Sequence, residues 1–439
     1  MVVVLEVHLG AAGGARIVAG CPMSELEKRP GPVARRVTYI FLWVFYLCTF
    51  VVVLRQRATG PRPPKDGPFL LLSNHSAMPD PIWVSHYPRR PIWYMASGAL
   101  FRIPVLRRII LFLGAFPKQK FVRDTQAMTL VDELYADGGA IAISPEGTRT
   151  WDGRGLPVRN GIGRLVKRLN ARVVICRVKT GFLIMPRWAK YPRWVPLHLE
   201  YDPVRSFPPD MSAEEITREI AQALRVDPHY RVDGSLTLGF RTAHGLSQYL
   251  WACPACFAQD QTGVSTRSGN HFTCGACGAD WKVTVNNDLL PLNDAARATG
   301  VAHLNVARAF DRIAAHYGEP PISDPERYAR DGVALLSPGS VSFVPRNGTQ
   351  AEERARGELR LTDDAVTIYD ESGEAIWTLP FMRIKAISIE VRSVLQLFTD
   401  DGALYQLDPE GQSPLKWSYF MRHRWHMLRT GGEGPPPPA

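Results

Sequence analysis

The spacing of apolar positions changes several times along the chain, and each change predicts a different element. Residues 37–54, VTYIFLWVFYLCTFVVVL, are eighteen uncharged positions with no polar face, near the shortest run that crosses a bilayer as a helix. They read as a membrane-anchoring helix. Basic residues flank both ends about equally, so neither its orientation nor whether it spans or dips into one leaflet follows. Residues 1–36 are rich in Gly, Ala and Pro, show no period, and are expected to be poorly ordered. GPRPPKDGP (60–68) is a turn-rich linker. Then FLLLSNHS runs apolar without alternation, as a strand buried on both faces does, and leads into a loop and helix. GGAIAISPEGT repeats the pattern, with a strand at 140–143 and a Pro-Glu-Gly turn, and ARVVICRVKTG (171–181) supplies a third strand. Helical stretches separate them, including 125–137. A later one opens on a capping box, Ser212 with Glu215, and carries Ile216, Ile220 and Leu224 on one face. Strands alternating with helices predict an α/β domain over 60–230.

Further on, the period becomes two. After a helical connector at 292–330, Leu359 and Leu361, Val366 and Ile368, and Leu395 and Leu397 alternate inward, separated by the acidic turns TDD and DDG. The sequence SPLKWSYFMRHRWHML then places Ser413 as a cap and Pro414 at the first helical position. Trp417, Met421, Trp425 and Leu428 share a face. Strands followed by one amphipathic helix over 333–429 resemble a pleckstrin-homology domain, a small β-rich domain with a C-terminal helix. The Pro-rich tail 430–439 is expected to be disordered.

At 439 residues, 45% hydrophobic and 21% charged, the chain is long enough for two or three folded domains. Its net charge of +10 is concentrated. Twelve Lys/Arg and one acidic residue lie between Arg149 and Arg193, a local net of +11. Such a tract suits anionic lipid, a phosphorylated or CoA-type substrate, or nucleic acid, and equally an ordinary solvated face.

Two short stretches carry candidate chemistry. In LSNHSAMPD, His75 leaves a strand and Asp80 follows at the start of a helix. A neutral imidazole takes a proton from a hydroxyl near pH 7, and a carboxylate on its other nitrogen fixes the tautomer and stabilises the cation. No nucleophile motif accompanies the pair, so direct attack by a substrate hydroxyl is the economical mechanism. Asn74 is placed to orient the loop. In ISPEGTRTWDG, Glu146 and Gly147 form a turn where backbone N–H groups and Arg149 face an anion. GAFPKQKFVRD lies between, with Lys118, Lys120 and Arg123 around a strand-like KFV, and Arg123 and Arg149 together suit a phosphate.

In this order the motifs resemble the glycerolipid acyltransferase family, best known for the lysophosphatidic-acid acyltransferases. NHSAMPD matches its first block. GAFPKQKFVRD, with Arg123, resembles the second, and Glu146, Gly147, Thr148 and Arg149 form the third. Arg159 and Gly161 approximate a further basic-glycine pair. In the fourth block Cys176 stands where the family has a proline, which bears on the shape of the acceptor site. The resemblance implies a mixed sheet flanked by helices, an acyl-CoA or acyl-ACP donor, and an alcohol acceptor at a membrane surface. It also implies His75 as general base, Asp80 as its orienter, and Arg123, Glu146, Gly147, Thr148, Arg149 and Arg159 as acceptor-binding residues. The expected reaction is acylation of a lysophospholipid, foremost 1-acylglycerol-3-phosphate, in phospholipid biosynthesis. A non-phosphate lipid or alcohol is the other acceptor class. The apolar, arginine-studded stretch 102–116 is expected either in the membrane interface or as ordinary core.

Seven cysteines include two CxxC pairs, Cys253/Cys256 and Cys274/Cys277, with seventeen residues between them. The odd count and tight pairing argue against a disulfide framework and for a structural tetrathiolate Zn2+ in a ribbon over 250–286, with HFTC and WKVTV as strands. His271 is close but not needed as a ligand. These features predict a membrane-associated enzyme with its catalytic domain on the cytoplasmic face, partnered by membrane lipids and an acyl thioester rather than nucleic acid. Two other readings stay open: a tethered lipid- or nucleic-acid-binding protein with an inactive acyltransferase-like domain, and a hydrolase using water in place of the acceptor.

Overall fold

The computed structural model describes residues 40, 53–118, 124–227, 230–301, 303–317, 325–344, 351–390 and 394–430. Its first sheet has seven strands: β1 (Arg57–Thr59), β2 (Phe69–Ser73), β3 (Ile92–Ser97), β4 (Ala115–Lys118), β5 (Ala140–Ile143), β6 (Val173–Val178) and β7 (His198–Tyr201). They lie in the order β1-β7-β6-β2-β5-β3-β4. Every pairing is parallel except β6 with β7, so the sheet is mixed. The unbroken apolar runs are explained by burial on both faces. Phe69, Leu71, Ala140, Ala142 and Val174 face one core, and Leu70, Leu72, Ile141, Ile143 and Val173 face the other. Helices Thr125–Ala136, Gly161–Leu169 and Ala213–Ala223 cover the second face through Val131, Leu165 and Ile216. The capping box forms as expected, with the Glu215 N–H donating to Ser212 Oγ at 3.1 Å and the Ser212 N–H to Glu215 Oε2 at 2.9 Å.

Because β7 runs against β6 and alongside β1, the starts of β1 and β7 lie at the same end of the sheet as the exits of β2, β5 and β6. Crevices at strand exits are where α/β folds present their chemistry. All the candidate motifs of this domain described by the structure open there.

The second sheet is small and antiparallel, with β8 (Thr262–Val264), β9 (His271–Cys274), β10 (Asp280–Val283) and β11 (Leu289–Pro291) in the order β11-β10-β9-β8. It extends past the expected limit at 286. Helices Asp294–Arg297, Val306–Tyr317 and Pro325–Asp331 follow. The third sheet comprises β12 (Leu335–Phe343), β13 (Glu352–Leu361), β14 (Ala365–Tyr369), β15 (Ala375–Pro380), β16 (Ile384–Glu390), β17 (Val394–Thr399) and β18 (Leu404–Pro409). All its pairings are antiparallel, and helix Pro414–Thr430 packs on it. All six alternating residues from Leu359 to Leu397 named above are buried. On the helix, Trp417 and Met421 are buried, whereas Leu428, in the last turn, is exposed.

Two expectations fall largely outside the described residues, and a third is modified. The anchor segment 37–54 lies outside the described residues except for Ile40, Val53 and Leu54, and no helix among the described residues is long and apolar enough to cross a membrane. Within GAFPKQKFVRD the described strand is Ala115–Lys118, and KFV and Arg123 lie outside the described residues. The basic tract is not one solvated face. Arg187 and Arg193 are buried, and Arg177 is paired with Glu200 and Asp202. Arg193 donates to the carbonyls of Val285 (3.1 Å) and Thr242 (3.2 Å) and to Asn287 Oδ1 (2.5 Å), fastening the first domain to the second. Trp151, Phe182 and Trp188 continue into one apolar cluster with Tyr249, Trp281, Ile313, Leu397 and Trp417.

Candidate active site

His75 sits in the loop after β2, with its side chain 22% exposed, and Asp80 opens the short helix Asp80–Trp83 with no exposure at all. The two meet at 3.1 Å, Nδ1 to Oδ2. The same Oδ2 accepts the backbone N–H groups of Ser76 (2.6 Å) and Ala77 (2.8 Å), while Ser76 Oγ donates to Oδ1 at 3.2 Å. The carboxylate is therefore fixed by the loop that carries the imidazole. With Nδ1 engaged, proton transfer with a substrate hydroxyl falls to Nε2. Asn74 anchors the loop to β6. Its Nδ2 donates to the Val178 carbonyl at 3.2 Å, and the Val178 N–H returns to its Oδ1 at 2.7 Å.

Gly181 is a residue the sequence did not single out. A Cβ there would stand 2.3 Å from Ser76 Oγ, 2.8 Å from Val178 Cγ1 and 3.1 Å from Asp80 Oδ1. Only glycine lets this chain segment pass so close to Ser76 and the buried Asp80. Cys176, in the fourth block, is buried in β6 opposite Tyr201, and burial pushes its thiol far above the usual range.

The turn after β5 closes with the Gly147 N–H on the Ser144 carbonyl at 3.0 Å, Gly147 holding φ +73°, where a side chain would be strained. It is tied to the histidine loop, because the Thr150 N–H donates to the His75 carbonyl at 3.0 Å. Glu146 is buried, and burial raises its carboxyl to about 8 even though it accepts backbone N–H groups of Leu156 and His75. Its Oε2 has no hydrogen-bond partner among the described residues. At neutral pH this side chain is largely the neutral acid, able to donate a hydrogen bond. Arg159 lies against the turn, its N–H on the Pro145 carbonyl at 3.1 Å and its Nε 3.5 Å from the Glu146 carbonyl. His75, Asp80, Glu146, Gly147, Thr148, Arg149 and Arg159 thus come together at one end of the sheet.

Arg187, the second residue missed, holds this turn from outside. Its Nη1 donates to Thr148 Oγ1 (3.1 Å) and the Arg149 carbonyl (2.8 Å), its Nη2 to the Ile389 carbonyl (2.7 Å), and the guanidinium lies 4.5 Å from the centre of the Trp151 ring. In the sequence it was one of twelve basic residues, and nothing local distinguished it.

The four paired cysteines converge. All four sulfurs lie within 4.8 Å of one another, with Cys253–Cys277 at 3.8 Å and Cys256–Cys274 at 3.7 Å. A tetrahedron of thiolates about 2.3 Å from a zinc ion has edges of about 3.8 Å, so the set fits that ion. Each pair forms the same turn. The Phe257 N–H bonds the Cys253 carbonyl (2.9 Å) and the Gly278 N–H the Cys274 carbonyl (3.0 Å), both residues with positive φ. Phe257 is not glycine; its ring stacks on His316 at 3.9 Å. His271 turns to Asp280 (3.5 Å), away from the role of ligand.

Residues 55–186 match the protein-family model described as Acyltransferase. A 1-acyl-sn-glycerol-3-phosphate acyltransferase of Borreliella burgdorferi is 27% identical over 125 residues, 28% of this chain and 46% of that protein. A protein of the same description from Chlamydomonas reinhardtii is 25% identical over 178 residues, 40% of this chain and 53% of that protein. The chain spans about half the length of these curated relatives. Among solved structures, the 1-acyl-sn-glycerophosphate acyltransferase of Thermotoga maritima aligns with 46% of this chain and 83% of its own, at 19% identity and a TM-score of 0.37. Over residues 55–186, then, the chain is similar to the acyltransferase family.

Proposed function

We propose that the protein is an O-acyltransferase that moves a fatty acyl chain from an acyl thioester, acyl-CoA or acyl-ACP, to the free hydroxyl of a lysophospholipid, foremost 1-acylglycerol-3-phosphate. The observation that carries this reading is the exposed edge of His75 backed by the fully buried Asp80. The acceptor hydroxyl gives its proton to Nε2 as its oxygen attacks the thioester carbonyl. The tetrahedral intermediate then collapses, the C–S bond breaks, and the imidazolium returns the proton to the departing thiolate. Asp80 stabilises the imidazolium between these steps. Arg123, Arg149 and Arg159 supply charge for the acceptor phosphate, and Gly147 and Thr148 shape the turn beside it. Glu146 as a neutral acid donates to an acceptor oxygen.

Cys253, Cys256, Cys274 and Cys277 hold one structural Zn2+; four cysteines leave no open coordination position for catalysis. The enzyme works at a membrane, which the uncharged stretch 37–54 and the exposed Val105, Ile109 and Phe112 of helix Pro104–Phe112 support, and its catalytic domain lies on the cytoplasmic face, where paired thiols stay reduced. Thiol release from acyl-CoA by the purified protein, with and without 1-acylglycerol-3-phosphate, tests the reading. Release that depends on the lysophospholipid supports it. Equal release without acceptor identifies a hydrolase, and none with either acyl-CoA or acyl-ACP leaves an inactive domain.

A further inference from the structure

Outside the acyltransferase-family segment, residues 235–240 (SLTLGF) alternate in a way that core packing does not explain. Leu236, Leu238 and Phe240 are 64%, 60% and 67% exposed, while Thr237 and Gly239 between them are half-buried. Gly239 passes so near the body that a Cβ would meet Thr242 Cγ2 at 2.5 Å and Val285 Cγ1 at 2.9 Å. The segment is thus laid flat against the protein with its large apolar side chains outward. Its backbone pairs with Trp194 just before β7, Leu238 N–H to the Trp194 carbonyl at 3.0 Å and the reverse at 2.9 Å. It is also fastened to the residues that end the uncharged stretch 37–54. Arg55 donates to the Leu236 carbonyl, Trp194 Nε1 to the Val53 carbonyl, and the Leu197 N–H to the Leu54 carbonyl at 3.0 Å.

Cations and aromatics rim this ridge. The Arg55 guanidinium lies 4.5 Å from the Trp194 ring centre, that of Arg241 5.0 Å from Phe240 and 5.4 Å from Tyr191, and Lys190 Nζ 5.8 Å from Tyr191. Side chains with an apolar body beside a positive head suit the boundary between acyl chains and anionic headgroups. The sheet topology adds direction, because β1 and β7 begin at the end where β2 delivers His75.

We propose that Leu236, Leu238 and Phe240, with Val53, Trp194, Arg55 and Arg241, form a docking ridge that seats on an anionic bilayer. It would hold the His75 end of the sheet toward the membrane. The proposal shares with the reading above only the attachment of 37–54 to a bilayer, which flotation of the parent chain with vesicles reports separately.

The test places an environment-sensitive fluorophore on Leu238→Cys in the full chain, with the identically labelled parent subtracted. The labelled protein is reconstituted in vesicles of phosphatidylcholine alone or mixed with phosphatidylglycerol. The expected result is a blue shift and quenching by lipids spin-labelled near the headgroup, both stronger with phosphatidylglycerol and lost when Leu236 and Phe240 are changed to Ser. Water-like emission on vesicles that bind the parent chain overturns the proposal. So does a blue shift without lipid that grows with protein concentration, which would assign the ridge to a second copy of the chain.

Discussion

The guanidinium of Arg187 joins the Arg149 carbonyl, in the turn after β5, to the Ile389 carbonyl of β16, the second contact 202 residues away and 2.7 Å long. The C-terminal sheet is therefore wired directly to the candidate acceptor turn. Arg187→Met removes three charge-assisted hydrogen bonds and leaves buried carbonyls without donors, at roughly 1.5–3 kcal/mol for a bond to a charged group. Arg187→Lys presents a point charge where a planar fork is needed. Both variants are expected to raise the apparent KM for the acceptor about tenfold or more while the KM for acyl-CoA changes little. Initial-rate kinetics on both substrates separate this from general unfolding, which would lower active enzyme without changing either constant.

The His75–Asp80 pair makes a sharper forecast. His75→Ala should lower turnover by about 10²–10⁴, and Asp80→Asn should have a similar effect while also disturbing a carboxylate held by two backbone N–H groups. Gly181→Ala probes the same geometry from behind. The added methyl group must displace Ser76 Oγ and Val178 Cγ1 and crowds Asp80 Oδ1, and an error of about 1 Å costs on the order of 10² in rate. The expected signature is a lower kcat with near-parental KM values. Full activity in Gly181→Ala would show that the close approach does not set the position of Asp80.

Removal of metal should act on stability rather than on chemistry. The four converging sulfurs adjoin a sheet whose Phe272 and Trp281 belong to the same apolar cluster as Trp151, beside the turn after β5. Elemental analysis is expected to find about one zinc per chain, and Cys253→Ser or Cys274→Ser to destabilise the protein by several kcal/mol. Because the cluster is continuous, chelation should expose protease sites on both sides of the ribbon. A metal-free chain with unchanged unfolding would remove the structural role.

Local patterns that one segment can carry were legible in the sequence. The strand Phe69–Ser73, the capping box at Ser212, the alternation from Leu359 to Leu397, and the converging cysteines all depend on spacing within a few residues or on ligand chemistry. What was not legible required partners far along the chain. Arg187 and Arg193 looked like ten other cations, and only distant carbonyls turn them into struts. Gly181 gave no sign that Ser76 and Asp80 would crowd it. The limit is physical: burial of a charge is decided by which backbone groups the tertiary fold brings to it, and no local period encodes that.

Glu146 gives a pH-dependent prediction whose sign follows from its burial. Its carboxyl is raised to about 8 from an ordinary value near 4.5, so the folded protein holds this proton more tightly than the unfolded chain does. Its contribution to stability is complete below about pH 4.5, declines as pH rises through the interval, and is lost above about pH 8. The slope is at most about 1.4 kcal/mol per pH unit. Glu146→Gln keeps a neutral donor of the same shape and cannot ionise. The Gln variant should therefore gain on the parent steadily between about pH 5 and about pH 8 in denaturant titrations, with the difference level beyond. If the neutral acid also donates to the acceptor, the parent's KM for the lysophospholipid should rise above about pH 8 while the variant's does not. A parent-to-variant stability difference that stays constant with pH would mean that Glu146 is ionised in the folded protein, and its place in the acceptor site would have to be that of an anion.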